Sequence, residues 1–130
     1  MAAPKYISEQ FVKQFFTAET VAARPTGWTI ALHAGNPGTG DANEAVDANY
    51  ARQSATFTAS DAGAFWEGAN AADITFPAAA AGANYTATHY SVRNATGGAA
   101  LAVAALPVPI PVVAGGVITI PAGFAKVRGV

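Results

Sequence analysis

Residues 50–77, YARQSATFTASDAGAFWEGANAADITFP, constrain this chain more than any other stretch. Residues 50–57 divide their large side chains between odd and even positions. Residues 64–67 form a short aromatic segment, and residues 73–77 set Ile74 and Phe76 on one side before closing with a proline. Side chains two apart share one face of a strand, so the run predicts three half-buried antiparallel strands joined by two turns.

The same period recurs on either side. Trp28, Ile30 and Leu32 alternate within residues 28–33. In residues 85–93, His89, Ser91 and Arg93 alternate with Thr88, Tyr90 and Val92; the Asn-Ala-Thr-Gly-Gly of 94–98 is a hairpin signal, and 99–106 is its return strand. Pro107, Pro109 and Pro111 then alternate with Val108, Ile110 and Val112. Proline donates no ladder hydrogen bond, so this segment is expected at a sheet edge or in extended polyproline form. Residues 114–116 turn the chain, and 117–121 and 124–128 complete it. Many short strands between turn signals predict a mainly β fold: an antiparallel β-sandwich, jelly-roll or Ig-like, with residues 1–130 forming a single domain. Trp28, Ile30, Leu32, Phe57, Ile74 and Phe76 are its predicted core.

Only the N-terminus reads as helix. Residues 1–7 are expected as an extended arm, with Ser8 as N-cap, Glu9 in the first turn, and Ile7 and Val12 at the two positions of a hydrophobic staple. Phe11, Val12, Phe15 and Phe16 follow at helical spacing, ending near Glu19 or Thr20, so that arm and helix occupy about residues 1–20. Such a stripe must be covered, and packing within the chain's own core is the expectation, with a neighbouring subunit as the other possibility. Charged residues make up only 12% of the chain, against about 25% in an ordinary soluble domain. A surface so lean in charge points either to cover by other chains or to a general bias toward alanine, since scattered exposed apolar atoms are normal. Tyr6, Ile7, Phe11, Phe15, Val108, Ile110 and Val112 are therefore the candidate residues for contact with other subunits or a capsid.

Chemistry is sparse. The chain has no cysteine, which excludes disulfides, thiolate metal sites and a cysteine nucleophile. A net charge of −1 offers no footprint for nucleic acid or an anionic membrane. No apolar run reaches the roughly 18 residues that span a bilayer, and the first residues lack the regions of a signal peptide. Gly35 and Gly40 have phosphate-loop spacing, yet Asp41 stands where that loop needs lysine. Asp41, Asn43, Glu44, Asp47 and Asn49 crowd oxygen ligands into one loop without a calcium loop's glycine and terminal glutamate; a solvated loop is expected. His33 and His89 are lone strand histidines, Ser54, Ser60 and Ser91 lack a nucleophile elbow, and Asp61, Glu67 and Asp73 have no fixed spacing as a hydrolytic pair. Neither enzymatic activity nor a cofactor or metal is expected.

A set of short blocks carries more. Residues 28–33 (WTIALH), Gly35-Asn36-Pro37, Asn43-Glu44-Ala45-Val46, Tyr50-Ala51-Arg52-Gln53, Phe57, 72–78 (ADITFPA), Thr88-His89-Tyr90 and 94–98 (NATGG) together resemble a family of small bacteriophage virion proteins, over most of the chain up to about Leu106. A short N-terminal helix precedes these blocks in that family. This chain carries Asp47-Ala48-Asn49 where relatives tend to have glycines before the tyrosine. Members are commonly head decoration or tail-fibre-like proteins. The resemblance implies a virion subunit without enzymatic activity, made in the bacterial cytoplasm. With no heptads, collagen-like repeat or stalk, the expected role is a head decoration (cement) protein on the capsid surface, with the major capsid protein as partner. A tail or tail-fibre component is the alternative, and a carbohydrate-binding module a further one. Self-association as a homotrimer is expected from the low charge and from the threefold positions of an icosahedral lattice.

Overall fold

The computed structural model describes residues 5–128. One helix, α1 (Lys5–Phe16), precedes nine strands: β1 (Trp28–His33), β2 (Gln53–Ala55), β3 (Phe57–Asp61), β4 (Trp66–Asn70), β5 (Ile74–Thr75), β6 (Asn84–Asn94), β7 (Ala100–Val113), β8 (Thr119–Ile120) and β9 (Lys126–Arg128). All pairings are antiparallel. They build a four-stranded sheet in the order β2-β1-β6-β7, a three-stranded sheet β3-β4-β9 and a two-stranded sheet β5-β8. The mainly β class, the antiparallel sandwich and the short N-terminal helix agree with the sequence expectation.

The alternation in β1 and β6 fixes which face of the large sheet is apolar. Ile30 lies opposite Val92 and Leu32 opposite Tyr90, and all four are buried. Ile74 and Phe76 from the β5 region, Ile118 and Ile120 around β8, and Ala125 join them in one cluster. Each isoleucine, leucine, valine or phenylalanine among them contributes about 1.5–3 kcal/mol by leaving water. Ile30, Leu32, Ile74 and Phe76 of the predicted core are buried; Trp28 and Phe57 are half-buried and pack against the cluster's rim.

Residues 50–77 divide differently from the expected three strands. Residues 50–52 are not strand, and the predicted first strand breaks at Thr56 into β2 and β3, which belong to different sheets. Buried Asn70 explains how the second sheet is tied down. Its side chain donates to the carbonyl oxygens of Ala72 (2.9 Å) and Pro121 (3.0 Å) and accepts from the Ala125 amide (2.9 Å). A buried amide so fully satisfied locks the end of β4 to the chain entering β9.

β6 and β7 form the long hairpin signalled by residues 94–98. Gly97 and Gly98 take φ of +104° and +96°, a region that suits glycine. The return strand is longer than expected and includes the proline run. β7 has a neighbour on one side only, so the edge placement of Pro107, Pro109 and Pro111 holds. His89 pairs with Ala105 but Ala87 with Ile110, so residues 106–109 bulge out of the ladder opposite Thr88 alone.

The start of α1 departs from the sequence reading. Residues 1–4 of the predicted arm lie outside the described residues, while Lys5, Tyr6 and Ile7 are already helical. Ser8 is therefore inside the helix and not its N-cap, and the Ile7–Val12 staple does not apply. The helix ends at Phe16, short of Glu19. The Thr17 hydroxyl donates to the Lys13 carbonyl oxygen (3.0 Å), and Lys13 in the last turn complements the helix dipole.

Candidate functional site

The most unusual surface of the molecule is α1. No residue of the helix is buried. Tyr6, Ile7, Gln10 and Lys13 are the half-buried positions, so a partly polar edge faces the sheets. Phe11, Phe15 and Phe16 point away and are 46%, 68% and 73% exposed, with Val12 beside them. The Phe11 ring meets the other two, with centroids 5.2 Å (Phe11–Phe15) and 6.0 Å (Phe11–Phe16) apart. This inverts the usual arrangement, in which the apolar face of a surface helix meets its own core. The expectation that the stripe packs inside the chain is corrected: the chain's own sheets already supply each other's apolar cover.

α1 is nonetheless held in place. The Gln10 side-chain oxygen accepts from the Ala22 amide (2.7 Å), and Glu9 pairs with Lys13 at 2.7 Å. Between the helix and the end of the large sheet lies a cavity of about 420 Å³, lined among others by Tyr6, Ile7, Pro25, Trp28 and Leu101.

The remaining candidate interface residues divide. Val108 is exposed within the bulge of β7, and Ile110 is half-buried against the core. Val112 is corrected: at 3% exposure it belongs to the core cluster, because its position in β7 points it inward opposite Tyr85. Alternation within the proline run thus splits residues that sequence reading had grouped.

The long connection of residues 34–49 is an ordered cover over the other face of the large sheet. It is anchored by two main-chain bonds, Ala34 N–H to Asn43 O (2.8 Å) and Ala45 N–H to Leu32 O (2.9 Å). Beneath it runs a buried polar chain. His33 Nδ1–H donates to the Ala42 carbonyl oxygen (2.8 Å), Ser91 Oγ–H donates to His33 Nε2 (2.9 Å), and Arg93 Nε–H donates to Ser91 Oγ (3.1 Å). Arg93 Nη1 meets Asp41 at 3.0 Å, while Nη2 has no partner among the described residues. A serine bonded to a histidine invites comparison with a hydrolase. Here both are fully buried, the far ring nitrogen meets a main-chain carbonyl instead of a carboxylate, and arginine occupies the hydroxyl. The arrangement fastens the cover to the sheet.

A second node explains two of the sequence blocks. The Tyr50 hydroxyl donates to Glu44 (2.8 Å) and accepts from the Leu32 amide (3.0 Å). Arg52 grips the same carboxylate through two bonds of 2.9 and 2.8 Å. Bidentate geometry of this kind is among the stronger polar contacts. The bonds from Arg52 hold the Glu44 carboxyl down at about 2, although burial opposes them; burial and the nearby carboxylate push the Tyr50 phenol up. Burial lowers His33 below its ordinary 6.5.

Both Glu44 and His33 bind protons less readily in the folded state than in the unfolded one, so stability rises with pH through their titrations. The His33 contribution is present above about 6.5 and is lost as pH falls below that value. The Glu44 contribution is lost between 4.5 and about 2. Urea midpoints measured from pH 3 to 8 are expected to fall in these two steps. His33→Gln flattens the upper step and Glu44→Gln the lower; a midpoint constant from pH 7 to pH 5 would contradict the His33 assignment, and one constant from pH 5 to pH 3 the Glu44 assignment.

The acidic candidates for hydrolysis are separately engaged. Asp61 accepts from the Gly63 amide (2.8 Å) and Asp73 from the Ala122 amide (2.9 Å). Glu67 lies between Lys126 (3.5 Å) and Arg128 (3.4 Å). Those cations border a groove of about 550 Å³ with Asn36 and His89, where Glu67 balances part of the positive charge. Among the described residues no three His, Cys, Asp or Glu side chains form a metal-holding group, and no helix is long and apolar enough to cross a membrane.

Compared with known families, residues 2–128 match the one described as Podophage GP4 fiber I protein gp80. The chain belongs to this family. No curated protein matches it. The resemblance to phage virion proteins is thereby shown, and the match extends beyond Leu106 through the proline run to residue 128. As a phage fibre-family member, the chain is a virion structural protein made in the infected host. The blocks behind the resemblance have physical roles in the fold: Glu44, Tyr50 and Arg52 form the carboxylate node, Ile74 and Phe76 the core, and residues 94–98 the long hairpin.

Proposed function

We propose that this chain is a non-enzymatic subunit of a phage tail fibre, which binds other virion chains through its N-terminal helix. The observation that carries the reading is the outward aromatic face of α1 on a member of a fibre family. An exposed contiguous apolar patch on a small domain marks an interaction surface. The absence of enzymatic chemistry is supported by the engagement of the candidate groups: the serine–histidine pair is sealed under residues 34–49, and each candidate carboxylate holds a main-chain amide or a neighbouring cation.

A second reading, head decoration on the major capsid protein, is favoured by one feature. The sequence has no heptad or collagen-like repeat from which to build a shaft. Cryo-electron microscopy of particles carrying an epitope-tagged copy, decorated with antibody, separates the two. Label on fibres at the tail vertex is the expected result. Label distributed over the head lattice would replace the proposal with the decoration reading, and purified particles without label would refute both.

A further inference from the structure

We propose that residues 35–43 form an acid-released latch: a proton on His33 frees this part of the cover from the large sheet while the rest of the domain stays folded. The inference holds whether the particle carries the protein on its tail or its head.

The first ground is where the hydrogens must lie. A main-chain carbonyl only accepts, so the bond to Ala42 O (2.8 Å) places a hydrogen on His33 Nδ1. The neutral ring then has a bare Nε2, which accepts from the Ser91 hydroxyl, while Ser91 Oγ accepts from Arg93 Nε–H (3.1 Å). An added proton has only Nε2 to occupy, and there it deprives the Ser91 hydroxyl of its acceptor. Imidazolium and guanidinium then converge on one fully buried oxygen.

The second ground is the charge around the ring. From β6, Arg93 faces it, and His89 lies directly opposite His33 in the ladder, on the same face of the sheet. Arg52 adds a second guanidinium, whereas Glu44 favours a proton on the ring. Glu44 is already committed to Tyr50 and Arg52, and Asp41, at 73% exposure, is bonded to Arg93. Burial above all, with Arg93 and Arg52, holds the ring below its ordinary 6.5.

The third ground is that the anchors differ in their response to acid. The middle of the cover is held by the Ala42–His33 and Asp41–Arg93 bonds, which a charged ring disturbs. Its far end is held by the Ala45 amide on Leu32 O and by the Glu44 carboxyl, which keeps its charge down to about 2. Within residues 35–43 only Pro37 and Gly40 are buried, so lifting them forfeits little apolar contact. The closed cover binds the proton less readily than the open one. The opening equilibrium therefore rises as pH falls below 6.5, by up to about tenfold per pH unit, until the closed form itself takes the proton.

Hydrogen exchange of the full chain, followed by NMR from pH 7 to pH 5 and corrected for intrinsic rates, tests the latch. The reporters are Arg93 Nε–H, sealed under the cover, and the Phe76 amide, bonded to Ile118 O in the core. Arg93 Nε–H is expected to be less protected than Phe76, through an opening insensitive to low urea, and to lose protection by up to about tenfold per pH unit. In His33→Gln that loss should vanish. Equal protection at the two reporters would overturn the proposal, because only global unfolding would then release Arg93. So would protection that does not change with pH, or a pH dependence that persists in His33→Gln. If the variant fails to fold, the wild-type imidazole titration replaces it. Loss of protection must level off where the His33 ring titrates in the folded protein, and a loss that continues through that titration would equally overturn the latch.

Discussion

Replacing Phe76 with alanine is expected to cost about 3–5 kcal/mol of unfolding free energy. The ring is 4% exposed and lies in the cluster shared by β1, β6 and the β5–β8 pair. It also stacks on Tyr50, with centroids 6.1 Å apart and planes inclined by 7°. Truncation opens a cavity and removes the surface that positions Tyr50, whose hydroxyl connects Glu44 to the Leu32 amide. The main chain is pinned at this point by the bond from the Phe76 amide to the Ile118 carbonyl oxygen (2.9 Å), so collapse into the space is restricted. Against a total stability of about 5–15 kcal/mol for a domain, the loss is severe. Denaturant melts read it directly, and a loss under about 1 kcal/mol would remove Phe76 from the core.

The second large effect is expected at Gly40. Its φ is +118°, and a Cβ built there would overlap the Cβ of Ala100, which is fully buried opposite Arg93 in the hairpin. Gly40→Ala therefore combines backbone strain of about 1–3 kcal/mol with overpacking of about 1–3 kcal/mol. Neither atom can swing aside as the end of a long side chain could. Relief comes by lifting residues 34–45 from the sheet, which admits water to His33 and Arg93. Two readouts follow: a stability loss of about 3 kcal/mol or more, and an imidazole titration for His33, followed by NMR, that moves back up toward 6.5. Gly38 provides the control. Its φ is +61° and nothing lies within 4 Å of an added Cβ, so Gly38→Ala should cost only about 1–2 kcal/mol and leave His33 where it is. Equal losses at the two positions would show that the cover does not depend on close approach to Ala100.

Much of the fold was legible because strand periodicity is local. β1 was read at its full extent, and the alternation of Ile30 with Leu32 and of Ile74 with Phe76 picked out four core residues. The hairpin glycines at 97 and 98 and the edge placement of the prolines follow from backbone chemistry that each residue carries with it. The helix was legible in kind but not in its start. A proline directly before Lys5 is a signal for helix entry, since a missing N–H costs nothing in the first turn.

Sequence by itself determined the antiparallel β class, the strand faces of β1 and β6 and the amphipathic character of residues 11–16, because each depends on spacing within one short segment. Tertiary structure alone decided the rest. Whether the aromatic stripe turns inward depends on whether the sheets leave apolar surface to receive it, and here they satisfy one another. Val112 left the candidate interface because pairing with Tyr85 sets its side, and strand pairing is a non-local choice. His33, Ser91, Arg93 and Asp41 are up to 60 residues apart in number, and two strands and a loop had to meet before they became one polar chain. A spacing rule reads along the chain, whereas burial and hydrogen-bond partners are properties of where distant segments come to rest.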